Sequence, residues 1–508
     1  MKIFSAIQIK QGDAYTIEHE PISSHGLMER AAVRCARAVM ERFIHHKNLL
    51  MLCGPGNNGG DGLAMARLLA PYFPHLKVFC FGNPEKRTAD FIANFNRLRD
   101  MGVEPHVVAE TDNFTAFQEA VSLPHTVIGD ALFGTGLSKP ITDAYWQNVI
   151  EAVNGSSHPV FSVDIPSGVF ADSNEHWQND ACCIQADVTY TFEQPKLSFM
   201  FAENARFTGR VEVLPINIHT EFKEHTPATE FYITKAGISE LRKEPPTFSH
   251  KGTFGHALLV GGSYGKAGSI LLGANACMRS GAGLTTVAVP EKILPVIQNG
   301  APEAMCIPAG ADGYITEIPK LASHFSALGI GPGLGTDPDT ATVLKKIIAE
   351  FNGHMVLDAD ALNILSENKT WLSFLPANSI LTPHPKEFDR LTQTHESGYG
   401  RWKSQSEFSK KYNVYVILKG AHTSITTPFG KTFFNSTGNP GMATGGSGDV
   451  LTGILAGLLA QGYPAVDACL LGVFIHGLAG DFAFAQKGRE ALVASDIIDN
   501  LGHAFQSI

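Results

Sequence analysis

Two aspartates stand where glycine-rich turns could make them chemical groups. Asp449 closes Gly445-Gly446-Ser447-Gly448-Asp449, which runs into an apolar segment of helical length. Glycines ahead of a helix let several backbone N–H groups converge, and the helix dipole adds partial positive charge, so this corner suits a phosphate. A carboxylate does not itself bind phosphate. Its position makes sense if it takes a proton from a hydroxyl as that hydroxyl attacks a phosphoryl group. The competing reading is a helix N-cap, for which Asp is a preferred residue.

The second aspartate, Asp164, lies in Val163-Asp164-Ile165-Pro166-Ser167-Gly168 and is the candidate acid or base of the first half. Two further polar stretches accompany it: Gly54-Pro55-Gly56-Asn57-Asn58-Gly59-Gly60-Asp61-Gly62, and Gly129 to Gly136 with Asp130. Asn58, Asp130 and Ser167 are oxygen donors without His or Cys, the ligand type of an alkali or alkaline-earth ion rather than zinc. Each Asp alone can be read as a loop cap. The first stretch contains GxGxxG, but the following strand ends Phe81-Gly82-Asn83, with Glu85 only beyond Pro84. An ordinary dinucleotide site holds a ribose with an acidic residue there, so hydride transfer is disfavoured.

The elements that must position these groups alternate. Leu49 to Cys53, Leu76 to Phe81, Thr126 to Ile128 and Val160 to Val163 read as strands separated by helical patterns, which predicts a doubly wound, Rossmann-like parallel sheet. The polar stretch EFKEHTPATE then suggests a boundary, giving domains over 1–224 and 225–508, each α/β. In the second, His256 to Val260 and Val414 to Leu418 read as strands, and the loops Gly331 to Gly335, Asp358 to Asn363, Thr382 to Phe388 and Lys419 to Thr423 carry polar tips. Asp358 or Asp360 is readable as a helix cap and His384, between two prolines, as a rigid-turn residue. No GxxxxGK[ST] occurs.

With 508 residues, 17% charged, a net charge of −10 and eight cysteines without CxxC spacing, the chain is expected to be compact, cytoplasmic and reduced. It lacks the basic footprint of a nucleic-acid binder. The N-terminal stretch has no apolar h-region, and the apolar run around Val450 to Ala460 is shorter than a membrane span, so no membrane partner is expected.

LDADALN, TPHPKEF, LKGAHT and GNPGMATGGSGDVLTGILAGLLAQG make the second half resemble the NAD(P)H-hydrate dehydratases of the ribokinase-like superfamily. Met28-Glu29-Arg30-Ala31, GPGNNGGDG, GDALFGTG and VDIPSG make the first half resemble the NAD(P)H-hydrate epimerases. The resemblance implies repair of NADHX and NADPHX: one half interconverts the C6 epimers, the other dehydrates the S epimer at the expense of ADP, with Mg2+, giving AMP, phosphate and NAD(P)H. It further implies that epimerase substrate lies against Asn57, Asn58, Gly59, Gly60, Asp61, the loop Gly134, Thr135, Gly136, Leu137, Ser138, Lys139, Pro140, then Tyr145 and Asp164. Potassium would sit on Asn58, Asp130 and Ser167. In the dehydratase half the hydrate would meet Ala267, Gly333, His384 and Asp449, and the nucleotide Lys419, Gly420, Ala421, His422, Thr423 and Gly448. A homo-oligomer is expected. The alternative is a ribokinase-like small-molecule kinase fused to a nucleotide-binding module.

Overall fold

The computed structural model describes residues 1–110, 112, 114–175, 181–318 and 324–508. Its contacts divide into two units, one of Lys2–Ala228 with Ser397–Tyr399, the other of Met1, Thr229–Glu396 and Gly400–Ile508. The polar stretch read from sequence as a connector is in part a helix, Thr220–His225, whose Phe222 is buried against Phe4, Leu27 and Ile218.

The first unit is built on seven parallel strands: β1 (Asn48–Cys53), β2 (His75–Phe81), β3 (His106–Val108), β4 (Thr126–Ala131), β5 (Val160–Val163), β6 (Val188–Phe192) and β7 (Arg210–Leu214). They lie in the order β3-β2-β1-β4-β5-β6-β7. Strands buried on both faces carry near-continuous apolar runs, as Leu49 to Cys53 does, and apolar clusters lie on each face of the sheet. The chain order reverses between β1 and β4. Such a switch point opens a crevice at the C-terminal strand ends, where ligands bind in open α/β sheets.

The second unit carries β8 (Glu230–Tyr232), β9 (His256–Val260), β10 (Leu284–Val289), β11 (Met305–Pro308), β12 (Ala327–Ile330), β13 (His354–Leu357), β14 (Ile380–Leu381), β15 (Tyr415–Leu418), β16 (Ser424–Thr426) and β17 (Thr432–Phe434). Their order is β11-β10-β9-β12-β13-β14-β15-β16-β17-β8. Only β16 runs against its neighbours, and the switch point falls between β9 and β12. The helix Ser447–Ala460 packs over β9, β12 and β13. Beside it runs Ala465–Lys487, 23 residues long and, by length and composition, apolar enough to cross a membrane; 61% of that apolar window is buried within the protein. This helix is longer than the apolar run around Val450 to Ala460 and carries Asp467, His476 and Asp481 only at wide intervals.

Two boundaries differ from the sequence expectation in a way that matters for chemistry. The polar stretch Gly54 to Gly62 is a loop only over Gly54 to Gly56, because a helix starts at Asn57 and runs Asn57–Leu69. Gly59 and Gly60 are helical there: a Cβ on Gly59 would meet the Gly54 carbonyl oxygen at 1.8 Å, and one on Gly60 the Met28 Cε at 2.8 Å. Gly59 thus lets the helix close on the turn after β1, and Gly60 lets it close on the helix Ser24–Phe43, a packing demand that polar-loop reasoning overlooks. Likewise Asp130 belongs to β4 rather than to a loop and is wholly buried.

Candidate active sites

In the first unit a cavity of about 730 Å³ opens at the switch point. Its wall includes Asn57, Asn58 and Asp61 from the first turns of Asn57–Leu69, Gly134 to Leu137 from the segment after β4, and Asp164 from the turn after β5. Asp164 has φ +65°, a left-handed conformation uncommon outside glycine but tolerated by Asp. The turn aims its carboxylate back at β6, where Oδ1 accepts from Lys196 Nζ at 2.7 Å, Phe192 N at 3.0 Å and Thr191 Oγ1 at 3.4 Å. Lys196 is 1% exposed. A buried ammonium is tolerated because it is paired.

Two more carboxylates face this ion pair. Asp13, on the helix Ala6–His19, lines the same cavity; burial first, then the charge of Asp164, push its carboxyl up to about 7, against the opposing pull of Lys196. Burial and the neighbouring Asp164, Asp13 and Asp90 raise Asp61 well above the carboxylate range. Neither Lys196 nor Asp13 emerged from the sequence. Lys196 follows the end of β6 by four residues, so the strand-end rule applied to that strand would have found it; Asp13 has no comparable signal, since its neighbour is remote in the chain.

Asn58, Asp130 and Ser167 do converge, around the backbone of Phe133. Asn58 Nδ2 donates to the Phe133 carbonyl at 2.8 Å, and Ser167 Oγ accepts from Phe133 N at 2.9 Å and donates to Asp130 Oδ1 at 2.5 Å. Asp130 also accepts from Ser162 Oγ, Ser167 N and Leu132 N, all neutral donors. Burial raises its carboxyl, and no cationic side chain among the described residues pairs with it. A buried carboxylate among oxygens fits a hard monovalent or divalent cation as the missing countercharge.

The remaining expected contacts divide. Ser138, Lys139 and Pro140 lie just past the loop residues that line the cavity, and Gly59 and Gly60 sit inside the helix. Tyr145 is absent from the wall. Its hydroxyl donates to Val108 O at 2.6 Å and accepts from Gly82 N at 2.9 Å, tying together the ends of β2 and β3.

In the second unit the glycine run performs the turn into Ser447–Ala460. Gly446 takes the cap position at φ +91°, where a Cβ would lie 2.5 Å from Leu272 Cδ1, so Asp449 is a first-turn residue and not the N-cap. Burial, then Asp358, raise the Asp449 carboxyl to about 6, while a hydrogen bond from Ser269 and the charge of Lys419 pull the other way. Lys419 reaches across the helix start: a Cβ on Gly448 would sit 3.2 Å from its Nζ, which also pairs with Asp358 Oδ1 at 2.9 Å. Burial opposes the charge of Lys419, but Asp358 and Glu387 outweigh it and its pKa rises.

Asp358 holds the N-cap position of Ala359–Glu367 without a side-chain cap bond, and Asp360 lies in that helix's first turn; both carboxylates are engaged elsewhere. Thr452 Oγ1 donates to Asp358 Oδ2 at 2.8 Å, and Asp360 Oδ2 accepts from Gly335 N at 2.8 Å and Lys266 Nζ at 3.3 Å. Ala267 opens the helix Ala267–Arg279 that carries Ser269, and Gly333, at φ +60°, lies against Lys266. His384 caps Pro385–Leu391, its Nδ1 accepting from Glu387 N at 3.2 Å; burial and the nearby Lys419 and Arg390 lower its pKa, so the ring is neutral. Gly420 and Thr423 close a tight turn through Thr423 Oγ1, with Ala421 and His422 between them and His422 Nδ1 3.3 Å from Asn435 O.

One parallel and one largely parallel sheet, each with polar groups gathered at its C-terminal strand ends, define a two-domain α/β enzyme. Residues 24–198 match the family model described as YjeF-related protein N-terminus, and residues 257–502 that described as NAD(P)H-hydrate dehydratase. The chain is 35% identical to the bifunctional NAD(P)H-hydrate repair enzyme of Moorella thermoacetica, covering 100% of this chain and 97% of the relative. It is 32% identical to that of Coxiella burnetii, covering 97% of each. A solved structure, the ADP/ATP-dependent NAD(P)H-hydrate dehydratase from Bacillus subtilis co-crystallised with ATP/Mg2+, is 28% identical over 54% of this chain and 97% of its own, with a TM-score of 0.47. The chain belongs to the bifunctional NAD(P)H-hydrate repair enzymes.

Proposed function

We propose that the first unit interconverts the R and S epimers of NADHX and NADPHX, and that the second dehydrates the S epimer to NADH or NADPH while ADP becomes AMP and phosphate. The observation that carries the dehydration is the placement of Asp449: a half-buried carboxyl poised at about 6, at the opening of a glycine-capped helix and beside Lys419. Asp449 accepts the C6 hydroxyl proton as that oxygen attacks the terminal phosphoryl group of ADP. The helix-start N–H groups and Lys419 stabilise the charge on the transferring phosphoryl oxygens. The N1 lone pair then expels phosphate from C6, and loss of a C5 proton restores the dihydropyridine.

Lys419 to Thr423 and Gly448 bind the nucleotide in this reading, and Ala267, Gly333 and His384 the hydrate. Mg2+ accompanies ADP and neutralises phosphate charge. In the first unit, the hydrate enters the cavity along Asn57 to Asp61 and Gly134 to Pro140, with Asp164 as base. Asn58, Asp130 and Ser167 hold potassium, whose charge offsets the buried Asp130. The enzyme works in the cytoplasm as a homo-oligomer, and its substrates are small molecules. The domains 1–224 and 225–508 act separately on one pool of substrate.

Incubating the full-length protein with mixed NADHX epimers and ADP, ATP or no nucleotide, while following reduced-nicotinamide absorbance and products, tests the whole reading. Asp164→Asn is expected to consume the S fraction and then stall at the spontaneous epimerisation rate. Complete rapid consumption by that variant removes Asp164 from the mechanism, and a stable phosphoester product in place of free phosphate removes the dehydration.

A further inference from the structure

We infer that Asp13 is the acid partner of Asp164, so that epimerisation runs on two carboxyl groups facing one cavity. The inference rests on the assignment of Asp164 as base and extends it to a residue that lies upstream of the matched family region, which begins at residue 24.

The two carboxyls are in opposite situations. All three partners of Asp164 are donors, Lys196 Nζ, Phe192 N and Thr191 Oγ1, so it is held as an acceptor. Asp13 lines the same cavity and has no hydrogen-bond partner among the described residues. Burial and the charge of Asp164 keep it largely protonated up to about pH 7. The other charged groups on the cavity wall are Lys10, Lys86, Glu193 and Asp61, and Asp61 adds a further carboxyl with a raised pKa. A carboxylic acid and a carboxylate at one site supply a proton and a place to put one, which is what a hemiaminal centre needs.

The step balances without an outside reactant. Asp164 takes the C6 hydroxyl proton; the C–O bond becomes the C=O of an aldehyde as the C6–N1 bond breaks, and its electron pair on N1 takes the proton of Asp13. Rotation about C5–C6 presents the other carbonyl face. N1 then attacks C6, returning its proton to Asp13, while the carbonyl oxygen takes the proton back from Asp164. Both carboxyls end as they began.

The test follows conversion of the isolated R epimer to S by chromatography, without nucleotide, from pH 5.5 to 9. The full-length wild type, Asp13→Asn, Asp13→Glu, Asp61→Asn and Asp164→Asn are compared. Wild-type kcat is expected to fall above about pH 7 as Asp13 ionises, about tenfold per pH unit. Asp13→Asn is expected to lose about two to four orders of magnitude in kcat and with it the alkaline limb. Asp13→Glu should restore a limb, and Asp61→Asn should retain it whatever its rate. Thermal unfolding of the first unit, measured on the same preparations, reports whether the part that carries these residues is folded. An Asp13→Asn rate within about threefold of wild type, a limb persisting in Asp13→Asn, or a limb lost in Asp61→Asn instead, overturns the assignment. Full activity of Asp164→Asn overturns the underlying base assignment separately, whatever Asp13 shows.

Discussion

Replacing Asp449 by Asn is expected to make the second unit more stable and less active at once. Its carboxyl ionises near 6 in the folded chain against 3.8 for the free group. Each pKa unit corresponds to about 1.4 kcal/mol, so holding this group ionised costs the fold on the order of 1 to 3 kcal/mol after allowance for solvent screening. The sign follows from proton binding: between the two values the folded chain binds more protons than the unfolded one, so wild-type stability falls as pH rises through this window and levels off above 6. Asn carries no charge at any pH. The variant should match wild type near pH 4 and exceed it at pH 7.5, raising the unfolding midpoint of this unit by a few degrees, at about 2 to 4 °C per kcal/mol. A helix N-cap would give no such pH-dependent gain, since Asn caps about as well as Asp. The assay is thermal unfolding of both proteins from pH 4 to 8, with ADP affinity and dehydration rate measured alongside. Dehydration should drop by about two to four orders of magnitude with ADP still bound. A variant no more stable at pH 7.5 than wild type refutes the electrostatic argument; one that dehydrates at near the wild-type rate refutes the chemical one.

Lys196→Met should leave Asp164 as a buried carboxylate without its counter-ion, costing about 3 to 5 kcal/mol of first-unit stability by denaturant titration and abolishing epimerisation; a loss below about 1 kcal/mol would show that the pair is not load on the fold. Tyr145→Phe removes a hydrogen bond given and one received, so about 1 to 3 kcal/mol of stability should go while epimerase kcat and KM stay near wild type. A large rise in KM at unchanged stability would put Tyr145 back on the substrate.

The strands were readable because a parallel sheet covered on both faces demands apolar runs of about five residues, and Leu49 to Cys53, Val160 to Val163 and His256 to Val260 supply them. Asp449 and Asp164 were readable because glycine or proline beside them marks a turn at a strand or helix end. What escaped were distances through space. Nothing in the local pattern around Asn57 to Asp61 separates a ligand loop from a helix whose glycines let it close on the Gly54 carbonyl. Tyr145 looked like a polar group near a ligand, but backbone groups 37 and 63 residues away occupy its hydroxyl. Lys196 and Asp13 gain their chemistry from Asp164 alone, so only the folded chain reveals it.

The helix Ser447–Ala460 is buried at every position except Gly448 and Asp449. Amide exchange there should therefore be governed by opening of the whole unit rather than by fraying of a terminus, because no solvent-facing turn exists from which the helix can unwind. If Asp449 is the base, such an element leaves little freedom to adjust the rate by surface mutation. Variation in turnover among sequences that keep Asp449 must arise in the few side chains that reach it from other elements, Ser269, Lys419 and Asp358, and those are the positions at which a drift in pH optimum should be sought.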